Sequence, residues 1–246
     1  MTTSAEIKKV AKRYGADLCG IAPVERFENA PKGFHPYDIY PGTKSVIAIA
    51  KREIESTLFS KSPVTYTFAS GMVLNEVHKT IVSIAFELEK QGHVAIPIPS
   101  EPYEFWDEAE MTGKGILSLK HAGYLAGLGV IGKNTLLVNK EYGNLMRLGA
   151  IVTDAMLTCD PVEDFVFCKD SCNICLKSCP AYAMDGTTVT QKRCRPNSGV
   201  KNKKGEMLYV CNTCRKVCPY RAGINNHEVE KPLALRKIVV AKNFVG

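Results

Sequence analysis

Apolar residues recur along the first two thirds of the chain in two rhythms. Leu18 to Ala22 and Ser45 to Ala50 are short apolar runs, partly β-branched, and predict buried strands. Between Gly71 and Gln91, Val77, Ile81, Ile84, Ala85 and Leu88 return at three- and four-residue steps, which predicts a long helix stopped by Gly92. A first helix is expected from Ser4, as N-cap, to about Arg13, with Gly15 closing it. His93 to Ile98 reads as a strand ended by Pro97 and Pro99, and Ile116 to Leu125 as a helix. Further strands are expected around Thr135–Val138 and Leu148–Thr153. From about Asp160 these rhythms give way to Cys, Pro and Lys. The chain therefore reads as an α/β domain over residues 1–159 and a cysteine-rich domain over 160–246, without repeats or low-complexity tracts.

Composition narrows the class. A 45% apolar content over 246 residues supports a substantial core, so the cysteines need not hold the whole fold together. Met1 to Val10 is polar and Lys-bearing, and no apolar run approaches the roughly 20 residues of a membrane span. A cytoplasmic protein is expected, in which ten cysteines are metal ligands or redox thiols rather than a disulfide framework. The net charge of +7 is uneven: residues 185–246 hold an excess of nine cations, leaving the rest at −2. Such a basic stretch suits an acidic electron donor or a nucleic acid, and would also offset anionic clusters.

The cysteines carry the chemistry. Cys168, Cys172, Cys175 and Cys179 precede Pro180; Cys194, Cys211, Cys214 and Cys218 precede Pro219. Both runs end in C-x2-C-x3-C-P, the close of the two-cluster ferredoxin signature, in which the fourth cysteine ligates the other cluster. This predicts two [4Fe–4S] clusters with crossed ligands: Cys168, Cys172, Cys175 and Cys218 for one, and Cys179, Cys194, Cys211 and Cys214 for the other. Cys168 stands one residue further from Cys172 than the signature has it, and Cys194 is far from Cys211; both changes lengthen the chain between ligands. Zinc ribbons also use C-x2-C pairs, but have no use for the repeated ending. Cys19, in an apolar run, is expected as a small core residue, and Cys159 lies near the cluster segment.

Gly127, Gly129 and Gly132 spell G-x-G-x-x-G, followed by Lys133 and Asn134. A dinucleotide site needs a strand before these glycines and a helix after them, and here the order is reversed. The glycines then mark a close approach of backbone to a ligand or to another chain segment.

The stretch Ala126–Asn134, the run Glu141-Tyr-Gly-Asn-Leu-Met-Arg-Leu-Gly-Ala-Ile-Val-Thr-Asp154 and the cysteines after it resemble the cobamide-dependent epoxyqueuosine reductases and reductive dehalogenases. Cys194, following Arg193, is similar to the isolated fifth cysteine of the former. The resemblance implies an α+β architecture, with a nitroreductase-like cobamide-binding domain followed by a ferredoxin-like dicluster domain and a C-terminal helix. It implies an iron–sulfur oxidoreductase whose clusters pass low-potential electrons to a bound cobamide. Gly127, Gly129, Gly132, Lys133, Asn134, Arg147, Thr153 and Asp154 would face that cofactor. A ferredoxin- or flavodoxin-type donor would be the partner. The proton-donating Asp of the epoxyqueuosine reductases falls at Gly113 in this chain, which leaves Tyr103 and Asp107 as candidate donors. His78 and His121 are further titratable groups in this half of the chain. Two alternatives stay open: a protein delivering electrons to a separate corrinoid protein, and a cobamide-reducing or trafficking protein with no substrate of its own.

Overall fold

The computed structural model describes residues 3–224. The expected C-terminal helix lies outside the described residues. The first elements are α1 (Ser4–Arg13), β1 (Leu18–Pro23), α2 (Pro36–Ile39), β2 (Ser45–Arg52), α3 (Pro63–Glu89) and β3 (Ala95–Ile98). A hairpin of β4 (Phe105–Asp107) and β5 (Thr112–Lys114) follows, then α4 (Leu119–Leu125), β6 (Val130–Ile131), β7 (Leu137–Val138) and β8 (Met146–Thr153). The cysteine-rich segment holds α5 (Ile174–Ser178), α6 (Gln191–Ser198), β9 (Gly199–Lys201), β10 (Met207–Tyr209) and α7 (Thr213–Lys216).

The main sheet is antiparallel, in the order β1-β2-β8-β3. Side chains alternate across β2, and both of its faces are buried. Ile47 and Ile49 meet α1 and α3, whereas Val46, Ala48 and Ala50 meet the α4 side. The helical face read from the sequence is the one α3 buries: Val77, Ile81, Ile84 and Leu88 are each almost wholly covered. Such side chains contribute about 1.5–3 kcal/mol each. Gly149 lets α3 approach β8, since a Cβ there would stand 2.7 Å from Val77 Cγ1. Among the described residues no helix is long and apolar enough to cross a membrane.

Several boundaries differ from expectation. Thr3, not Ser4, caps α1, in a capping box with Glu6. α3 begins at Pro63 behind the Ser62 cap, eight residues before the expected start at Gly71, because its first two turns lie at the edge of the core. Pro97 sits inside β3 rather than ending it; β3 is an edge strand, where the missing N–H costs no ladder bond. Thr135 lies at φ 61° in a turn, so β7 starts at Leu137. α4 starts at Leu119 rather than Ile116.

The compositional boundary is tied down. Asp160 pairs with Lys8 and accepts the Ile21 amide at 2.9 Å, while its carbonyl accepts from Arg26. The cysteine-rich segment thus starts from a fixed point on β1.

Candidate functional site

Cys168, Cys172, Cys175 and Cys218 come together around an open hollow of about 360 Å³, walled by Phe167, Ile174 and Tyr220. Cys168 and Cys172 come from the loop leading into α5, Cys175 from α5 itself, and Cys218 from the turn after α7. Burial pushes the Cys218 thiol up to about 11, and Cys168, Cys175 and Cys172 push it in the same direction. The second group behaves likewise. Burial raises the Cys214 thiol to about 11; Arg215 opposes the rise, and Cys211, Cys194 and Cys179 add to it. Cys194 is raised by burial and by its neighbours Cys211 and Cys179. The fourth cysteine of each run therefore stands with the other run's group. Backbone amides point at two of the sulfurs: Lys133 N donates to Cys168 Sγ and Ala183 N to Cys179 Sγ, both at 3.4 Å. Among the described residues no three His, Cys, Asp or Glu side chains close around a single-ion point.

The glycine loop joins the α/β half to this segment. α4 precedes it and β6 and β7 follow it, the reverse of a dinucleotide fold. At Gly127, with φ 75°, a Cβ would lie 2.2 Å from the Pro161 carbonyl; at Gly129 it would lie 2.3 Å from that of Val138. What approaches these two glycines is the protein's own backbone. Gly132 sits over Cys168. Lys133 Nζ donates to the carbonyls of Lys169 and Asp170, and buried Asn134 donates to the Cys214 carbonyl.

Arg147, Thr153 and Asp154 also have protein partners. Arg147 Nε bonds Glu53 at 2.8 Å and its guanidinium bonds Ser70. Thr153, fully buried, accepts the Ala155 amide, and Asp154 accepts that of Val94. Glu53 was not foreseen from the sequence. Only 3% exposed, it meets Arg147 on one side and Arg215 at 3.1 Å on the other. Burial by itself would raise its carboxyl; Arg215, Arg147 and the Ser70 hydroxyl reverse that and hold it below the ordinary value. Arg215 also donates to the Asn144 carbonyl, and Asn144 Nδ2 donates to the Arg215 carbonyl. A second hollow, of about 300 Å³, lies here, lined by Lys120, Asn144, Met146, Leu148 and Arg215 among others. Burial lowers Lys120, whose ammonium donates to the Thr135 carbonyl, and Asn144 Oδ1 is buried without a hydrogen-bond partner among the described residues.

Of the candidate proton donors, Asp107 ends β4 and Tyr103 lies two residues before that strand. Tyr103 and Trp106 are stacked, with Arg195 of α6 over both rings at 5.0 and 4.9 Å. Gln191 accepts the Gly113 amide and Arg195, and donates to the Gly113 carbonyl. A Cβ on Gly113 would stand 2.7 Å from the Tyr103 ring and 2.9 Å from Arg195, so these two groups occupy the space of the missing side chain. Asp107 instead accepts the Glu110 amide in its own turn. His121 bonds Ser118 and is lowered by burial and Lys120; His78 lies on α3 with a buried Nε2 that has no hydrogen-bond partner among the described residues.

No family model matches the chain. An epoxyqueuosine reductase of Lactococcus garvieae is 40% identical over 112 residues, covering 42% of this chain and 31% of that protein. One of Leadbetterella byssophila is 27% identical over 93% of this chain and 83% of its own length. Among solved structures, the epoxyqueuosine reductase of Streptococcus thermophilus aligns over 91% of this chain and 67% of its own, with TM-score 0.63 and 22% identity. The catabolic reductive dehalogenase NpRdhA aligns over 90% of this chain and 32% of its own, with TM-score 0.66 and 18% identity. Over most of its length the chain is a homologue of the epoxyqueuosine reductases, with a mixed helix–strand fold similar to theirs and to that of the reductive dehalogenases.

Proposed function

We propose that this chain is a reductase of the epoxyqueuosine reductase type, carrying two [4Fe–4S] clusters that pass low-potential electrons to a cobamide. The observation that carries the reading is the crossed grouping of the eight cysteines, each group fed by both runs. The groups fit clusters better than zinc. A zinc ion draws its thiolates to about 2.3 Å from one point, whereas Cys168, Cys172, Cys175 and Cys218 line an open hollow. Amides aimed at Cys168 and Cys179 stabilise thiolate charge.

A cobamide is far larger than the second hollow, which could receive only one edge of it. Lys120 and the orphaned Asn144 amide oxygen suit an edge bearing an anionic group and amide donors, next to the helix that carries Cys214. A bound cobamide would supply a cobalt centre that accepts cluster electrons and reduces a substrate. In this reading the glycine loop, Lys133 and Asn134 hold the cluster segment in place. Tyr103 is the better placed proton donor, since its ring lies against Gly113, whereas Asp107 is engaged in its turn. A ferredoxin- or flavodoxin-type donor would supply the electrons.

The filling of the Gly113 site by Tyr103 and Arg195 also favours a second reading, an electron-delivery or cobamide-reducing protein without substrate chemistry. Anaerobic reconstitution separates these. About eight irons per chain with a broad visible spectrum are expected; colourless protein with two zinc ions would sink the clusters. Added cob(II)alamin should show the base-off spectrum at micromolar concentration. No binding would remove the cobamide, and binding without turnover in Tyr103→Phe and wild type alike would leave the carrier.

A further inference from the structure

The β4–β5 hairpin and α6 each lack an anchor in the core. Tyr103, Phe105 and Trp106 are exposed, and Gly113 is the one buried residue of the two strands. α6 buries none of its eight residues, has no side-chain cap and carries Pro196 inside it. A helix so short and interrupted is unstable by itself. The two elements hold each other. The Gln191 side chain accepts the Gly113 amide at 3.0 Å and donates to its carbonyl at 3.1 Å, as a neighbouring strand would. Arg195 bonds Gln191 at 2.7 Å and lies over the Tyr103 and Trp106 rings. Lys192 pairs with Glu110 at 2.7 Å. Each contact is weak alone. Cys194 stands among these three residues on the same helix. The ends of α6 are tied by backbone bonds to Ala183 and Val210, close in the chain to Cys179 and Cys211.

We infer that α6 is a clasp: ligation of Cys194 fixes the helix, and Gln191, Lys192 and Arg195 then seat the hairpin and the Tyr103 before it. This rests on the two-cluster reading above. Cys194 binds iron as its thiolate, the proton passing to solvent, with no change of oxidation state, and that bond supplies the order the helix lacks. The proton donor of the proposed function is therefore in place only in a chain that holds its second cluster. Lys114 lies 5.6 and 5.5 Å from the Phe34 and Phe105 rings and ties the other strand to the α/β half. Release from α6 leaves the hairpin attached on that side.

The test is hydrogen exchange of residues 101–115, followed by mass spectrometry in the anaerobically reconstituted full chain, with iron counted in each variant. Cys194→Ala should lose about half the iron. Its hairpin should exchange roughly tenfold faster, with β2 and β8 unchanged. Cys172→Ala, also at about half the iron, should keep the hairpin as in wild type. Gln191→Ala should free the hairpin with about eight irons in place, and shift the emission of Trp106 from that of wild type at equal iron. An unchanged hairpin in Cys194→Ala or Gln191→Ala overturns the inference, and so does an equal rise in Cys172→Ala. If either cysteine variant fails to fold or keeps no iron, wild type stripped by a chelator and then reconstituted decides. Hairpin exchange that rises and falls back supports the clasp; exchange indifferent to both steps overturns it. Wild type that takes up no iron refutes the clusters, and this inference with them, whereas iron in place with an indifferent hairpin refutes the inference alone.

Discussion

At the scale of the residue, Glu53 shows how an acid can be buried where nothing in its local sequence requires it. It follows an apolar strand and, read along the chain, looks like a surface residue at a strand end. Its burial depends on Arg147 and Arg215, which come from β8 and α7. The chain therefore hid this site, whereas it spelled the cysteines, because their spacing within each run is local. Removal of one partner from a buried pair costs about 3–5 kcal/mol, so Glu53→Ala should unfold at markedly lower denaturant than wild type. The pH dependence follows from the lowered carboxyl. Its stabilisation is complete above the unfolded value of 4.5 and is lost as pH falls through the lower folded value. Wild type should lose stability over that acid window and Glu53→Gln should lose less; equal acid slopes in denaturant titrations would argue against the pairing.

At the scale of the element, the glycine loop and the hairpin use glycine in different ways. Gly127 has both a positive φ and a backbone carbonyl in the way, and neither yields to a side-chain shift. Gly127→Ala should cost on the order of 2 kcal/mol, seen as a lower thermal midpoint. At Gly113 the nearest atoms are those of the Tyr103 ring and the Arg195 guanidinium, side chains that can swing away. Gly113→Ala should leave the thermal midpoint nearly unchanged, yet alter the fluorescence of Trp106, the single tryptophan of the chain. A shared large loss of stability would contradict the distinction. The reversed order around the loop, helix first and strands after, was legible from the apolar pattern. The extra turns of α3 and the place of Pro97 were not, since an amphipathic pattern fades where a helix leaves the core and an edge strand tolerates proline.

At the scale of the whole molecule, the described part of the basic C-terminal stretch exposes Lys201, Lys203 and Lys204 on the β9–β10 ribbon. Reduction by an acidic ferredoxin-type donor should slow steeply as ionic strength rises, because the Debye length falls from about 30 Å at 0.01 M to about 10 Å at 0.1 M. A rate insensitive to salt would place the docking surface elsewhere. The sequence by itself determined the two cysteine runs, the apolar faces of the strands and of α3, and the reversed order around the glycine loop. These are all carried by residues within a few positions of one another, where chain geometry leaves little choice. Only the tertiary structure decided that the loop's glycines meet Pro161 and Val138, that Tyr103 and Arg195 fill the space above Gly113, and that two arginines share Glu53. Those contacts join segments far apart in the chain, and the energy of burying a charge or excluding a Cβ exists only once the segments have packed.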